Sequence, residues 1–233
     1  MTLESLWRTR LSGKTLLIFD FDGTVADTSP LHAAAFGEVL APLGVEVNYS
    51  SIAGMKTLDA MRACIRPHQL EVSEEQLADL VVAKQRAVRR SISEGLDPLP
   101  GVDAFLQWAR ESYRLAMVTS GSRATVELSL AKLGYSSLFE PLLCAEDLGA
   151  SKPAPDGFAK CLAVTNVPAS QALVFEDSEA GFASARAAGI AVTCDVGVHH
   201  LHLCENDIGF FNAHARLDPP LRTTGDRDAL RRG

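Results

Sequence analysis

The sequence predicts an α/β fold, a Rossmann-like doubly wound parallel sheet core with an inserted helical cap domain, and three observations predict it. Short apolar runs of strand length recur at Thr15 to Phe19, Arg114 to Thr119 and Ala172 to Glu176, hydrophobic enough for burial on both faces. In the second half of the chain these runs alternate with helical segments, the order expected of a parallel sheet. Between the first run and the second lies a long stretch, about Pro30 to Glu94, with helical spacing and few strand signals. The expected division is 1–28 with 95–233 for the core and 29–94 for the cap.

Each element has a local reason. The first strand ends directly on Asp20, Asp22 and Gly23. Leu31 to Leu40 repeats its apolar residues at helical intervals. Ser73-Glu74-Glu75-Gln76 carries a capping box, Ser73 to Gln76, and opens a helix towards Arg90. Gly95 to Gly101, with Pro98 and Pro100, is rich in breakers and reads as the return linker. Arg114 to Thr119 is the next strand, and Ser122 to Leu133 an amphipathic helix closed by Gly134. Ala172 to Glu176 is followed by a small-residue helix, Ala180 to Ala188, closed by Gly189, and Ile190 to Cys194 is a further strand. There is no internal repeat, and the tail beyond about His199 carries weaker signals.

Bulk properties narrow the function. With 47% hydrophobic and 22% charged residues the composition is that of an ordinary globular protein. A net charge of −7 without a basic stripe excludes a nucleic-acid partner. It also requires local positive charge if the substrate is anionic, and Lys152, Arg123 and a metal ion are the candidates. Five cysteines, Cys64, Cys144, Cys161, Cys194 and Cys204, have no C-x-x-C spacing and read as free buried thiols in a reducing cytosol. The N-terminus lacks a signal-peptide apolar region, and no run approaches the roughly 18 residues that span a bilayer, so a cytoplasmic address without membrane contact is expected. His199-His200-Leu201-His202 reads as an exposed loop, and Trp7 and Trp108 as packing residues.

The acids are the chemical signal. Ligands bind at the carboxyl ends of strands in open α/β sheets, and two carboxylates there, Asp20 and Asp22, repel one another and lose solvation unless a cation or a proton offsets the cost. An EF-hand loop is excluded, because its glycine belongs at position six and Gly23 stands at position four. A second acidic pair, Glu176 and Asp177, again follows a buried strand and precedes a helix.

The segment Asp20-Phe21-Asp22-Gly23-Thr24-Val25-Ala26-Asp27-Thr28 resembles the first motif of the haloacid dehalogenase superfamily of phosphohydrolases and phosphomutases, and three further segments match in order over about 20 to 200. The resemblance implies Asp20 as a nucleophile that forms an aspartyl-phosphate, and Asp22 as the general acid/base. It implies a phosphate-gripping hydroxyl at Thr119 or Ser120, which the motif does not distinguish, beside Gly121 at a helix start. Lys152, in Ser151-Lys152-Pro153-Ala154-Pro155, corresponds to the lysine that pairs with the nucleophile. Oxygen ligands from Asp20, Asp22 (through its backbone carbonyl), Asp177 and Glu176 suit Mg2+, with Glu176 either a ligand or a supporting partner. Thr24 and Asp27 are expected to stabilise the loop.

Within the family, dehalogenases lack the second acid, which leaves phosphatases and mutases of the beta-phosphoglucomutase and phosphoglycolate phosphatase group. His32 lies where the mutases carry a histidine in the hinge helix, or else is an ordinary helix-face residue. The loop Ser51 to Thr57 resembles the specificity loop of small helical caps, but Ala53 and Thr57 replace the lysine and arginine of the mutase pattern. Lys56 and Arg62 are the nearest substitutes, and Lys56, His32 and Arg123 are the candidate specificity residues. The expected activity is a Mg2+-dependent phosphatase for a small phosphate ester such as a sugar phosphate or phosphoglycolate, in a monomer or homodimer. A sugar phosphomutase and a non-catalytic phosphometabolite-binding protein are the alternatives.

Overall fold

A computed structural model describes residues 7–8 and 11–193. The chain runs through β1 (Leu16–Phe19), α1 (Ser29–Leu40), α2 (Thr57–Ile65), α3 (Glu74–Glu94), α4 (Val102–Ala109), β2 (Arg114–Val118), α5 (Arg123–Leu133), β3 (Leu142–Leu143), α6 (Asp156–Thr165), β4 (Ala172–Phe175), α7 (Glu179–Ala187) and β5 (Ala191–Thr193). The described strands form one parallel sheet in the order β3-β2-β1-β4-β5. β1 is central, with Phe19 level with Met117 on one side and Phe175 on the other. The chain winds outwards through β2 and β3, then crosses back to place β4 on the far side of β1. The crevice between β1 and β4 is therefore the point where the winding reverses, and open sheets bind ligands there.

Alternation along the strands divides the core. Leu17, Phe19, Leu115, Met117, Leu173 and Phe175 face one side, where α4 and α5 cover them. Leu16, Ile18, Ala116, Val118 and Val174 face the other, against α6 and α7. The rings of Phe19 and Phe175 stack 4.6 Å apart at 3°, with Phe105 edge-on to both and Trp7 edge-on to Phe105 at 5.0 Å. Aromatic burial of this kind directly beneath the strand ends keeps the loops above from drifting. Cys144 and Cys161 are buried free thiols, and Cys64 is a half-buried one.

The helices α1, α2 and α3 share a separate apolar cluster that includes Phe36, Leu40, Ile52, Met61, Ile65 and Leu77. α3 begins with a complete capping box: Ser73 Oγ accepts from the Gln76 N–H at 3.1 Å, and Gln76 Oε1 accepts from the Ser73 N–H at 2.9 Å. The two passages of chain between this unit and the sheet lie side by side, since Ala26 bridges Pro98 and the Leu99 N–H donates to the Val25 carbonyl at 3.0 Å. No helix among the described residues is long and apolar enough to cross a membrane. Cys194, Cys204, the His199–His202 segment and the N-terminal residues 1–6 lie outside the described residues.

Candidate active site

β1 and β4 are in register, so the residues that follow them, Asp20 and Glu176, emerge at the same level above the sheet. Lys152 reaches both: its Nζ donates to Asp20 Oδ1 and to Glu176 Oε1, each at 2.6 Å, and it stands over the Phe158 ring at 5.4 Å. All three side chains are buried. Glu176 Oε2 accepts from the Ser178 N–H at 2.7 Å and the Ser178 hydroxyl at 3.0 Å, so both of its oxygens are engaged. Asp177 Oδ1 accepts from Thr24 Oγ1 at 3.0 Å. Asp20, Glu176 and Asp177 each offer an oxygen within 4.8 Å of the others. The carboxylate of Asp22 is not in this cluster, having turned towards Thr28 and His32.

One ammonium cannot neutralise three carboxylates. Burial pushes the Asp20 carboxyl well above its usual range; Lys152 opposes this, and Glu176, Asp177 and Asp22 add to it. Asp177 is raised for the same reasons, enclosure first and Glu176 next. Burial alone would discharge Lys152, but Asp20 and Glu176 overcome it and hold the ammonium charged. This charge deficit, in a set of hard oxygen donors, is what a divalent cation offsets, so the residues present fit Mg2+.

The first loop is shaped around the second acidic pair. Gly23 has φ +82°, and a Cβ there would stand 2.2 Å from Asp177 Oδ2. Only glycine satisfies both the left-handed backbone and the close approach. Thr28 occupies the N-cap position of α1, yet its hydroxyl does not cap the helix and donates instead to Asp22 Oδ1 at 2.5 Å. A helix cap has been exchanged for an oriented acid.

Asp22 begins a buried polar chain. His32 Nε2 lies 3.3 Å from Asp22 Oδ1 but is not aligned for a hydrogen bond, and Lys84 Nζ lies 2.7 Å from His32 Nδ1. Lys84 also sits 4.5 Å over the Phe36 ring. Burial would raise the Asp22 carboxyl, but the neighbouring His32 ring, the Thr28 hydroxyl and Lys84 prevail and hold it below the usual carboxylate range. Burial lowers Lys84 to about 8, with Asp22 opposing. A charged Lys84 donates to His32 Nδ1 and so places the ring proton on Nε2, facing Asp22.

The cleft above these groups is closed over by residues of the helical unit. His32, Phe36, Tyr49, Ala53, Thr57, Lys84 and Gln85 line it from that side, with Asp20, Asp22, Ser120, Gly121, Asp177 and Ser178 opposite. It holds about 40 Å³ of free space. Two titratable lining residues, Lys84 and Tyr49, have no counterpart among the sequence candidates. Lys84 was detectable as a lysine at a buried position of α3, in the stripe Leu77, Lys84, Val88, Ile92. Tyr49 carries no motif; its phenol is raised far above the usual range by burial and then by Asp22, Asp177 and Asp20.

The remaining candidates are placed as follows. Ser120 lines the cleft and its hydroxyl donates to the Gly54 carbonyl at 2.7 Å. Thr119 is folded back, with its hydroxyl accepting from the Gly121 N–H at 3.0 Å. Lys56 does not line the cleft; its Nζ donates to the Leu148 carbonyl at 2.7 Å. Arg123 is also absent from the lining, held by Asp147 at 2.5 Å and Glu127 at 3.2 Å, while its backbone N–H meets the Glu146 carboxylate. Arg62 pairs with Glu74 at 2.7 Å.

Comparison with known proteins gives the same picture. A model described as haloacid dehalogenase-like hydrolase matches residues 17–194. The chain is similar to the fructose-1-phosphate phosphatase YqaB of Escherichia coli (strain K12), with 35% identity over 177 residues, 75% of this chain and 92% of that protein. It is similar to protein CbbY of Rhodobacter capsulatus, with 36% identity over 188 residues, 76% of this chain and 82% of that protein. Among solved structures, CbbY from Rhodobacter sphaeroides in complex with phosphate has a TM-score of 0.70 at 27% identity, covering 82% of this chain and 90% of that one.

Proposed function

The chain belongs to the haloacid dehalogenase-like hydrolase family, and from that membership we propose that it is a Mg2+-dependent phosphatase acting on a small phosphorylated metabolite through an aspartyl-phosphate. The observation that carries this reading is the convergence of Asp20, Lys152, Glu176 and Asp177 at the β1/β4 crevice, with the separately oriented acid Asp22 on the same loop. Asp20 attacks phosphorus in line, and Lys152 balances the charge on the transferred oxygens. Thr119 or Ser120 grips the phosphoryl group: the Thr119 hydroxyl accepts from the Gly121 N–H and keeps its own proton to donate, while the Ser120 hydroxyl lines the cleft with its proton on the Gly54 carbonyl. Asp22, held ionised in the empty site, takes up a proton when the phosphate ester binds, passes it to the departing oxygen and then takes one from the water that opens the phosphoenzyme.

Asp20 and Asp177 would hold Mg2+ by their carboxylates and Asp22 by its backbone carbonyl. Glu176, with both oxygens engaged, supports Lys152 and the loop. When bound, the cation supplies charge stabilisation at the phosphoryl oxygens. Residues 29–94 act as a cap whose inner surface selects the leaving group. Similarity to the fructose-1-phosphate phosphatase YqaB supports a sugar phosphate as substrate. Ala53 and Thr57 both line the cleft, and neither brings the positive charge of the mutase lysine and arginine to a second phosphate, so hydrolysis is favoured over isomerisation.

The test is turnover of p-nitrophenyl phosphate with and without Mg2+, followed by glucose 1-phosphate with a bisphosphate activator. Release of inorganic phosphate in both is expected. No turnover under any metal condition would indicate a binding protein, and glucose 6-phosphate formed without phosphate release would indicate a mutase.

A pH dependence follows from Lys84. Below about 8 its ammonium fixes the Nε2 proton of His32 towards Asp22. As the pH rises through that value the neutral amine accepts from Nδ1–H instead, and a bare Nε2 then faces the carboxylate. We expect kcat/KM to fall as pH rises through about 8, and Lys84→Met to lower kcat and remove this limb. An alkaline limb that persists unchanged in Lys84→Met would contradict the assignment.

A further inference from the structure

Beside the packing of α3 against α5, where Leu128 meets Ala87, Val88 and Ile92 and Lys132 donates to the Ser93 carbonyl, two polar contacts join the helical unit to one short loop of the core. Lys56 is the N-cap residue of α2 and Asp59 lies in its first turn. Lys56 donates to the carbonyl of Leu148, and the Asp59 carboxylate accepts from the hydroxyl of Ser151. Leu148 is anchored below in the core, against Phe158 and its neighbours. The residue after Ser151 is Lys152, whose ammonium joins Asp20 to Glu176. Two residues of the helical unit therefore meet two residues of the loop, immediately before the lysine that charges the nucleophile. Gly54 adds a contact at the same junction: its carbonyl accepts from Ser120, and its φ of +79° lets its backbone approach Ser178 where a Cβ would stand 2.6 Å from Oγ.

Resting on the phosphatase reading above, we infer that Lys56 and Asp59 form a two-point clasp, by which closure of the cap holds the 148–151 loop and so sets Lys152 against Asp20. Both are positioning residues, because neither reaches the cleft. The free space of about 40 Å³ in the closed state admits only a few waters, so a substrate enters with the cap raised and the clasp made afterwards. Closure over a bound leaving group and full charging of the nucleophile are then one event. A lysine donating to a carbonyl and a carboxylate receiving a hydroxyl are both contacts that reform on each closure, and when they part the Asp59 carboxylate, which is exposed, and the half-buried Lys56 and Ser151 can turn to water.

The clasp differs from a specificity role in what its loss does. Lys56→Met, Asp59→Ala and Ser151→Ala should each lower kcat roughly tenfold or more, by a similar factor on p-nitrophenyl phosphate and on sugar phosphates, with little change in melting temperature. Asp59→Asn, which keeps an acceptor oxygen, should restore most of the Asp59→Ala loss. The double variant Asp59→Ala/Ser151→Ala should lose no more than the worse single variant. Independently of activity, Lys56→Met should speed amide hydrogen exchange across 148–154 in protein saturated with inorganic phosphate and Mg2+. Losses confined to sugar phosphates would assign Lys56 to substrate selection and overturn the clasp, as would additive losses in the double variant or unchanged exchange in the loop. A wild-type protein without phosphatase activity would instead overturn the reading on which the clasp rests, whatever the variants do.

Discussion

Asp20→Asn is expected to lower turnover of p-nitrophenyl phosphate by roughly four orders of magnitude or more, the scale on which loss of a nucleophile is felt. The amide is nearly isosteric and can keep the 2.6 Å contact from Lys152, but it is a poor nucleophile towards phosphorus. Stability should move the other way. In the metal-free protein Asp20 lies buried among Glu176, Asp177 and Asp22 and is pushed towards its neutral form. Removing its charge relieves that repulsion, so the melting temperature without Mg2+ should hold or rise. Activity above a few per cent of wild type would remove Asp20 from its role. A sharp fall in melting temperature would show that the acid is structural.

Withdrawal of the divalent cation is the second large effect. Chelation should abolish turnover and added Mg2+ restore it, and Asp177→Ala should raise the Mg2+ concentration for half-maximal activity by ten- to a hundredfold or more. The pH dependence of stability gives a second readout. Asp20 and Asp177 have folded-state values raised above the unfolded ones. Above the ordinary aspartate value of about 4, the folded chain thus keeps protons that the unfolded chain has released, and metal-free stability falls as pH rises. Saturating Mg2+ should flatten that slope, because the cation favours the ionised form. Thermal unfolding measured across pH with EDTA and with Mg2+ decides the matter; identical slopes in both would dismiss this cluster as the metal site.

Much of the core was legible because its signals are local. Each of the runs ending at Phe19, Val118 and Phe175 is apolar on both faces, and each is followed directly by polar residues that the parallel register brings together. The capping box of α3 was read correctly for the same reason. What was missed is either short or tertiary. β3 is two residues long and exists only because β2 offers an edge at Met117 and Val118. α4 follows Gly101 and α6 follows Pro155, so breakers masked the helices behind them. Lys84 stands 52 residues from His32, and no local pattern links a lysine on an apolar stripe to a histidine in another helix. Lys56, two residues after Gly54, had the right address for substrate contact, but its side chain turns to the Leu148 carbonyl.

The side-by-side passages at Ala26 and Pro98 carry a mechanical consequence. Two tethers bound to each other allow swinging about one axis and resist twisting or sliding. Asp20 hangs from the sheet, whereas the carboxylate of Asp22 is held by Thr28, at the start of α1, and faces His32 within that helix. On the proposed reading, nucleophile and proton donor share one loop but take their aim from different elements, so a movement of α1 against the sheet would turn the donor relative to Asp20. Water entering a cleft with α1 so displaced would meet a nucleophile whose proton donor is poorly aimed, and hydrolysis would wait for the alcohol that draws the two into line.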